Sequence, residues 1–209
     1  MISLRPVLLF ATPAVLFWLL PATRGLLLYE RAAIFDGAWW RLWTGHWMHF
    51  SASHLGWNLA VLLGAGAWLE RWHPGWLLRY TLIAAPLISL LLLAGEPAMH
   101  TYGGLSGLAT GVVVLLALAR LARCGSGRSW WLGVLVLVAI KIAFDATQAT
   151  ALFAGFNPQN VRPSALAHLG GAATAAAYLL SRPARGDATM RRAIGAVNSG
   201  PDAPATATD

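Results

Sequence analysis

The chain has 209 residues, 57% of them hydrophobic and only 11% charged, with a formal net charge of +7. So few charges argue against a water-facing surface, and the apolar residues gather in runs of about 20, the length that crosses a bilayer. The positive charge does not signal nucleic acid, because the arginines punctuate the apolar runs instead of forming one basic face interleaved with aromatics.

In chain order, the first run extends from Pro6 to Leu28 behind Arg5. It could pass for a secretory leader, but no small-x-small cleavage site is clear near Thr23 and further spans follow, so we read it as a retained helix. The loop from Tyr29 to Ser53 carries Trp39, Trp40, Trp43 and Trp47, amphipathic rings suited to the headgroup level, and is expected to lie in the interface. Further spans are expected over His54 to Leu69, Trp76 to Ala94, Ser106 to Leu121, Trp130 to Phe153 and Pro163 to Leu180. The second and fourth are short, which places their polar first turns inside protein, away from lipid.

Six spans put both termini on one side. Arg5, Arg71, Arg79, Arg120, Arg123, Arg128, Arg182, Arg185, Arg191 and Arg192 would share that face, which the positive-inside rule makes cytoplasmic. Residues 1–185 form the expected membrane domain, and 186–209, rich in Ala, Pro, Thr, Asp and Gly, an expected disordered cytoplasmic tail. The lone Cys124 implies no disulfide framework, and no inverted repeat of the transporter kind is visible.

Polar residues inside spans are costly in hydrocarbon and so are functional candidates. Ser106 follows Gly103-Gly104-Leu105 and opens the fourth span, where free N–H groups and the helix dipole favour developing negative charge; alternatively it is simply an N-cap. His168, on the sixth span, could accept the serine proton and return it to a leaving amine, or could be a histidine bonded between helices. Gly107 and Gly111, starting one residue beyond the serine, and Gly171 and Ala175, beyond the histidine, form two small-xxx-small faces that would let the helix axes approach closely. His54 and Asn58, four apart, share a face and could both donate to an oxyanion, or act as interhelical glue. His46, His49 and His54 lack the spacing and carboxylate partner of a zinc site, so neither metal nor cofactor is expected, and His49 reads as a structural donor for the first loop. Lys141 and Asp145, four apart on the fifth span, read as a mutually neutralising pair.

Trp40-Arg41 followed by Thr44, His49, His54-x-x-x-Asn58, Gly104-x-Ser106-Gly107 and Ala167-His168-x-x-Gly171 together resemble the rhomboid intramembrane serine proteases, over Trp39 to Leu180. The resemblance implies an all-α membrane protein, a six-transmembrane-helix bundle with an interfacial first external loop. It implies a Ser106–His168 dyad, with His54, Asn58 and the Ser106 N–H serving the oxyanion, and Gly104, Gly107, Gly111, Gly171, Trp40, Arg41 and His49 in support. Within the family, Tyr102-Gly103-Gly104-Leu105-Ser106-Gly107 and the Trp-rich Trp40-Arg41-Leu42-Trp43-Thr44-Gly45-His46 loop look like rhombosortase. That subfamily is associated with cutting C-terminal Gly-Gly, hydrophobic-helix, basic-cluster tails from exported proteins. The partners implied are the bilayer and membrane-anchored proteins with a C-terminal hydrophobic helix, not nucleic acid. The location implied is the bacterial inner membrane, with the site opening to the periplasm. The alternatives are a general rhomboid protease that cleaves transmembrane helices, or a non-catalytic client-binding relative.

Overall fold

A computed structural model describes residues 5–123, 127–147 and 163–182. The Cys124 site, the end of the expected fifth span and the tail from 183 onward lie outside them. The described elements are almost all helical: α1 (Arg5–Leu19), a 3-10 turn (Pro21–Thr23), α2 (Arg24–Leu27), α3 (Arg31–Phe35), α4 (Arg41–Thr44), a second 3-10 turn (Gly45–Trp47), α5 (Ala52–Trp72), α6 (Trp76–Gly95), α7 (Ser106–Leu121), α8 (Arg128–Thr147) and α9 (Ala165–Leu180). A two-residue antiparallel pair, β1 (Tyr29–Glu30) with β2 (Thr101–Tyr102), registers Tyr29 against Tyr102.

By length and composition, α6 and α8 can each cross a membrane, and α7 and α9 are shorter apolar helices. The first span departs from the sequence reading. It is broken, with the segment Pro21–Leu27 turned 101° from α1. Pro21 disfavours helical backbone at the residue before it, and Leu20 leaves the helix at φ −117°, ψ 72°. The second span is also not short: α5 runs for 21 residues, because Ser51 caps it by accepting from the His54 N–H, and its polar residues are carried inside the helix. By contrast α7 has the expected ends.

The helices differ in which faces they bury. On α7 most side chains are enclosed, among them Leu108, Val112, Leu115 and Leu116, so this helix runs through the core with Leu62, Leu69, Leu77, Tyr80 and Ile88 around it. On α8 only Trp131 and Asp145 are buried, while Trp130, Leu132, Val136, Leu137 and Ile140 face outward. That is the pattern of a helix whose solvent is lipid.

Aromatic contacts gather one set of helix ends together. Trp68 packs on Trp131 at 5.2 Å, Trp76 on Tyr178 at 5.8 Å, and the Arg120 guanidinium lies 4.4 Å above the Trp72 ring. Glu70, buried at this end and not singled out by the sequence, accepts from the Gly75 and Leu77 N–H groups at 2.8 Å each. A carboxylate there satisfies the free donors at the start of α6 and complements its dipole.

At the other end, α4 closes off α2. The carbonyls of Gly25, Leu26, Leu27 and Leu28, which a helix end leaves without partners, accept in turn from Arg41 Nη2 (2.6 Å), Trp40 Nε1 (2.9 Å), Thr44 Oγ1 (2.7 Å) and Arg41 Nη1 (2.9 Å). Arg41 is buried and also pairs with Glu30 at 3.3 Å. The Trp40-Arg41-x-x-Thr44 pattern is thus a four-bond clasp on one short helix. Trp39, Trp40 and Trp43 remain exposed, whereas Trp47 turns inward against Phe10 and Phe17.

Candidate active site

Ser106 is the first residue of α7, after Leu105, which has φ −75°, ψ −1°. Its N–H is one of the donors that the start of a helix leaves free. The approach to it is held from outside the helix. Tyr102 lies in β2; Gly104 N–H donates weakly to Gly45 O at 3.4 Å; and Leu105 N–H points at His49 Nε2 at 3.5 Å. His49 Nδ1 lies 2.9 Å from Trp47 O, which assigns the proton to Nδ1 and leaves Nε2 as an acceptor. The sequence expected His49 to be a donor; it also accepts, toward the turn before Ser106. Burial lowers the pKa of both His49 and His46 to about 4, so each is neutral at ordinary pH. His46 itself bonds to Ala85 O (2.9 Å) and Ser89 Oγ (3.1 Å), tying the loop to α6.

Gly104 has φ +129°, a conformation that side chains rarely adopt, and a Cβ there would lie 2.5 Å from His54 Cε1, 2.7 Å from His54 Nε2 and 3.6 Å from Asn58 Nδ2. Glycine at 104 is therefore favoured twice, by the turn and by the His54 ring that comes up against it, with Asn58 of the same helix at van der Waals distance. Both side chains are buried, and the Asn58 Nδ2 has no hydrogen-bond partner among the described residues.

His168 is buried one turn into α9, which Ser164 starts by accepting from Ala167 N–H while donating to Glu96. The backbones of α7 and α9 touch. A Cβ on Gly107 would lie 2.8 Å from Ala167 O; Gly171 abuts Gly107 O; and Gly111 abuts Gly171 O and the Tyr80 hydroxyl, which itself donates to Gly171 O. The residue after Ser106 is thus in contact with the residue before His168. The Ser106 side chain, however, lies beside the Tyr102 hydroxyl, which donates to Gly104 O at 3.2 Å, and the ring nitrogens of His168 are engaged by α8.

Here the structure corrects the sequence reading. Asp145 was expected to be neutralised by Lys141 alone, yet its Oδ2 lies 2.8 Å from His168 Nδ1. Lys141 does pair with Asp145, at 2.5 Å, but its Nζ also lies 3.1 Å from His168 Nδ1 and 3.5 Å from Nε2. A pair four apart on one helix reads as self-contained; the third member comes from α9 and only the fold supplies it. Among the described residues no group of three or more His, Cys, Asp or Glu is arranged to hold a metal.

An apolar helical chain whose serine, histidines and asparagine are enclosed between helices defines an integral membrane protein with a polar site inside it. The rhomboid-domain family model matches residues 36–183, and the chain belongs to the rhomboid family, whose members are intramembrane serine proteases acting on membrane proteins. A comparison with curated proteins found no match.

Proposed function

We propose that this chain is an intramembrane serine endopeptidase in which Ser106 is the nucleophile and His168 the general base, and that it removes Gly-Gly sorting tails in the manner of a rhombosortase. The observation that carries this reading is the backbone contact of α7 with α9 at Gly107–Ala167 and Gly111–Gly171, which brings the two side chains' helices as near as helices can come. Attack requires the Ser106 hydroxyl to point at the imidazole, a bond that in a resting site is commonly unformed and tightens with substrate.

Oγ of Ser106 attacks the scissile carbonyl carbon while its proton passes to His168 Nε2. As the C–N bond breaks, that proton goes to the leaving amine, and water then repeats the sequence on the acyl-enzyme. The negative oxygen of each tetrahedral state would meet the Ser106 N–H, Asn58 Nδ2 and the His54 ring, and one such donor is worth about 3 kcal/mol. The Asn58 amide, without a partner among the described residues, supports this, since a buried donor without a bond is a standing cost unless something arrives to accept from it.

Around this site we read six spans, α1, α5, α6, α7, α8 and α9, with Arg71, Arg79, Arg120 and both termini cytoplasmic and the site opening to the periplasmic side of a bacterial inner membrane. The clustered ends of α5, α7 and α9 with the starts of α6 and α8 support the alternation. A substrate helix would enter between α5 and α8 and unwind at its small residues.

The test is cleavage of membrane-anchored reporters, with and without a Gly-Gly tail, by wild type, Ser106→Ala and His168→Ala. The expected result is cleavage of the tailed reporter by wild type alone. Wild-type rates from either variant would remove the dyad, equal cleavage of both reporters would leave a general rhomboid protease, and no cleavage or fluorophosphonate labelling by wild type would favour a client-binding relative.

A further inference from the structure

We infer that Asp145 is a positioning residue for His168, so that the site works as a Ser106–His168–Asp145 triad with Lys141 as the counter-charge that lets a carboxylate sit inside a span. The inference rests on the dyad proposed above and deepens it. Asp145 is one of only two buried residues on α8, a helix that otherwise turns its side chains outward, and its side chain is 2% exposed, like that of His168. An isolated carboxylate so placed would be strongly disfavoured; Lys141, one turn away on the same helix, compensates it.

The geometry fixes the tautomer. A carboxylate only accepts, so the 2.8 Å contact from Asp145 Oδ2 to His168 Nδ1 requires the hydrogen on Nδ1. Lys141 Nζ only donates, so with Nδ1 protonated its hydrogen bond goes to Asp145, at 2.5 Å, and its nearness to Nδ1 is contact without bonding. At 3.5 Å it holds Nε2 at the limit of hydrogen bonding. Nε2 is then the basic nitrogen and the one available to Ser106. When the serine proton arrives there, the ring becomes an imidazolium whose Nδ1–H already points at a negative oxygen. Without Asp145 the imidazole could take the other tautomer or turn, and the base would be absent for part of the time. Asp145 touches no reacting atom and acts through the ring.

A structural ion pair would produce the same contacts between Lys141 and Asp145, so the experiment removes the pair as a whole. The full-length protein in detergent is titrated with a fluorophosphonate, and the inactivation rate at saturation (kinact) is separated from the concentration for half-saturation (KI). The variants are Asp145→Asn, Asp145→Glu and the charge-free Lys141→Met/Asp145→Leu. Expected are a fall in kinact of about 100- to 10,000-fold for Asp145→Asn and for the charge-free pair, with KI unchanged, and partial recovery in Asp145→Glu. A charge-free pair that labels at the wild-type kinact overturns the inference, because the two residues then only cancel each other. Should that variant not fold, Asp145→Asn is placed in a His168→Ala background. A residue acting solely through the imidazole produces no further loss there, whereas an additional loss equal to that in wild type sinks the inference. Failure of the dyad itself is distinct: it shows as wild-type labelling by His168→Ala.

Discussion

Gly107→Ala tests whether the helix contact controls the chemistry. The added Cβ would sit 2.8 Å from the carbonyl oxygen of Ala167 and 3.3 Å from its carbon. Carbon and a carbonyl oxygen settle at about 3.3–3.6 Å, so the two helices must part by about 0.5–0.8 Å, and backbone on backbone offers no flexible side chain to absorb it. If a displacement of about 1 Å costs about 100-fold in rate, a shift of this size should slow fluorophosphonate labelling about 10- to 40-fold. Overpacking should also lower stability by about 1–3 kcal/mol. The assay is the labelling rate of folded protein in detergent, with thermal melting in parallel and Gly64→Ala as control, since a Cβ at Gly64 meets nothing within 4 Å. If Gly107→Ala labels as fast as Gly64→Ala, the spacing of α7 and α9 does not govern the reaction and the reasoning fails.

Two further outcomes concern the fold around the site. Arg41→Lys should lower the melting temperature, because one ammonium cannot reach both Gly25 O and Leu28 O and leaves a carbonyl at the end of α2 unbonded, at a cost of about 1–3 kcal/mol; melting with the wild type would show that the clasp is dispensable. Acid should destabilise the loop before α5. His46 and His49 titrate at about 4 when folded and near 6.5 when unfolded, so the unfolded chain binds more protons between those values. Stability is therefore full above about pH 6.5 and falls toward pH 4, by up to about 1.4 kcal/mol per pH unit for each ring. Melting curves at about pH 7.5 and about pH 5 should differ, and those of His49→Gln should differ less; coincident curves for wild type would refute the burial argument.

What could be read in the chain depended on whether the cause was local. The bounds of α7 were legible because Gly103-Gly104 and Arg120 bracket an apolar run, and α6 lies between Gly75 and Glu96 for similar reasons. The break after Leu19 was written in Pro21 but was masked by the apolar residues on both sides. The pair β1–β2 is too short to leave a periodic signal, and its partners are 73 positions apart at Tyr29 and Tyr102. Positions near the site were visible as costly polar residues within apolar runs; their partners were not. Asp145 looked complete with Lys141, and Glu70 looked like an ordinary charge at a helix end, until the ring of His168 and the N–H groups of Gly75 and Leu77 came to meet them. Tyr102 likewise gave no sign that its hydroxyl would donate to Gly104 O beside Ser106.

The turn that delivers Ser106 is fastened to the first loop at Tyr29, Gly45 and His49, none of which belongs to the serine's own helix. A screen for lost cleavage would therefore collect substitutions between residues 29 and 49 that mimic damage to the proposed nucleophile while leaving Ser106 and His168 themselves in place. Purified protein from such strains should regain labelling wherever the loop is rebuilt, which separates a displaced serine from a missing one.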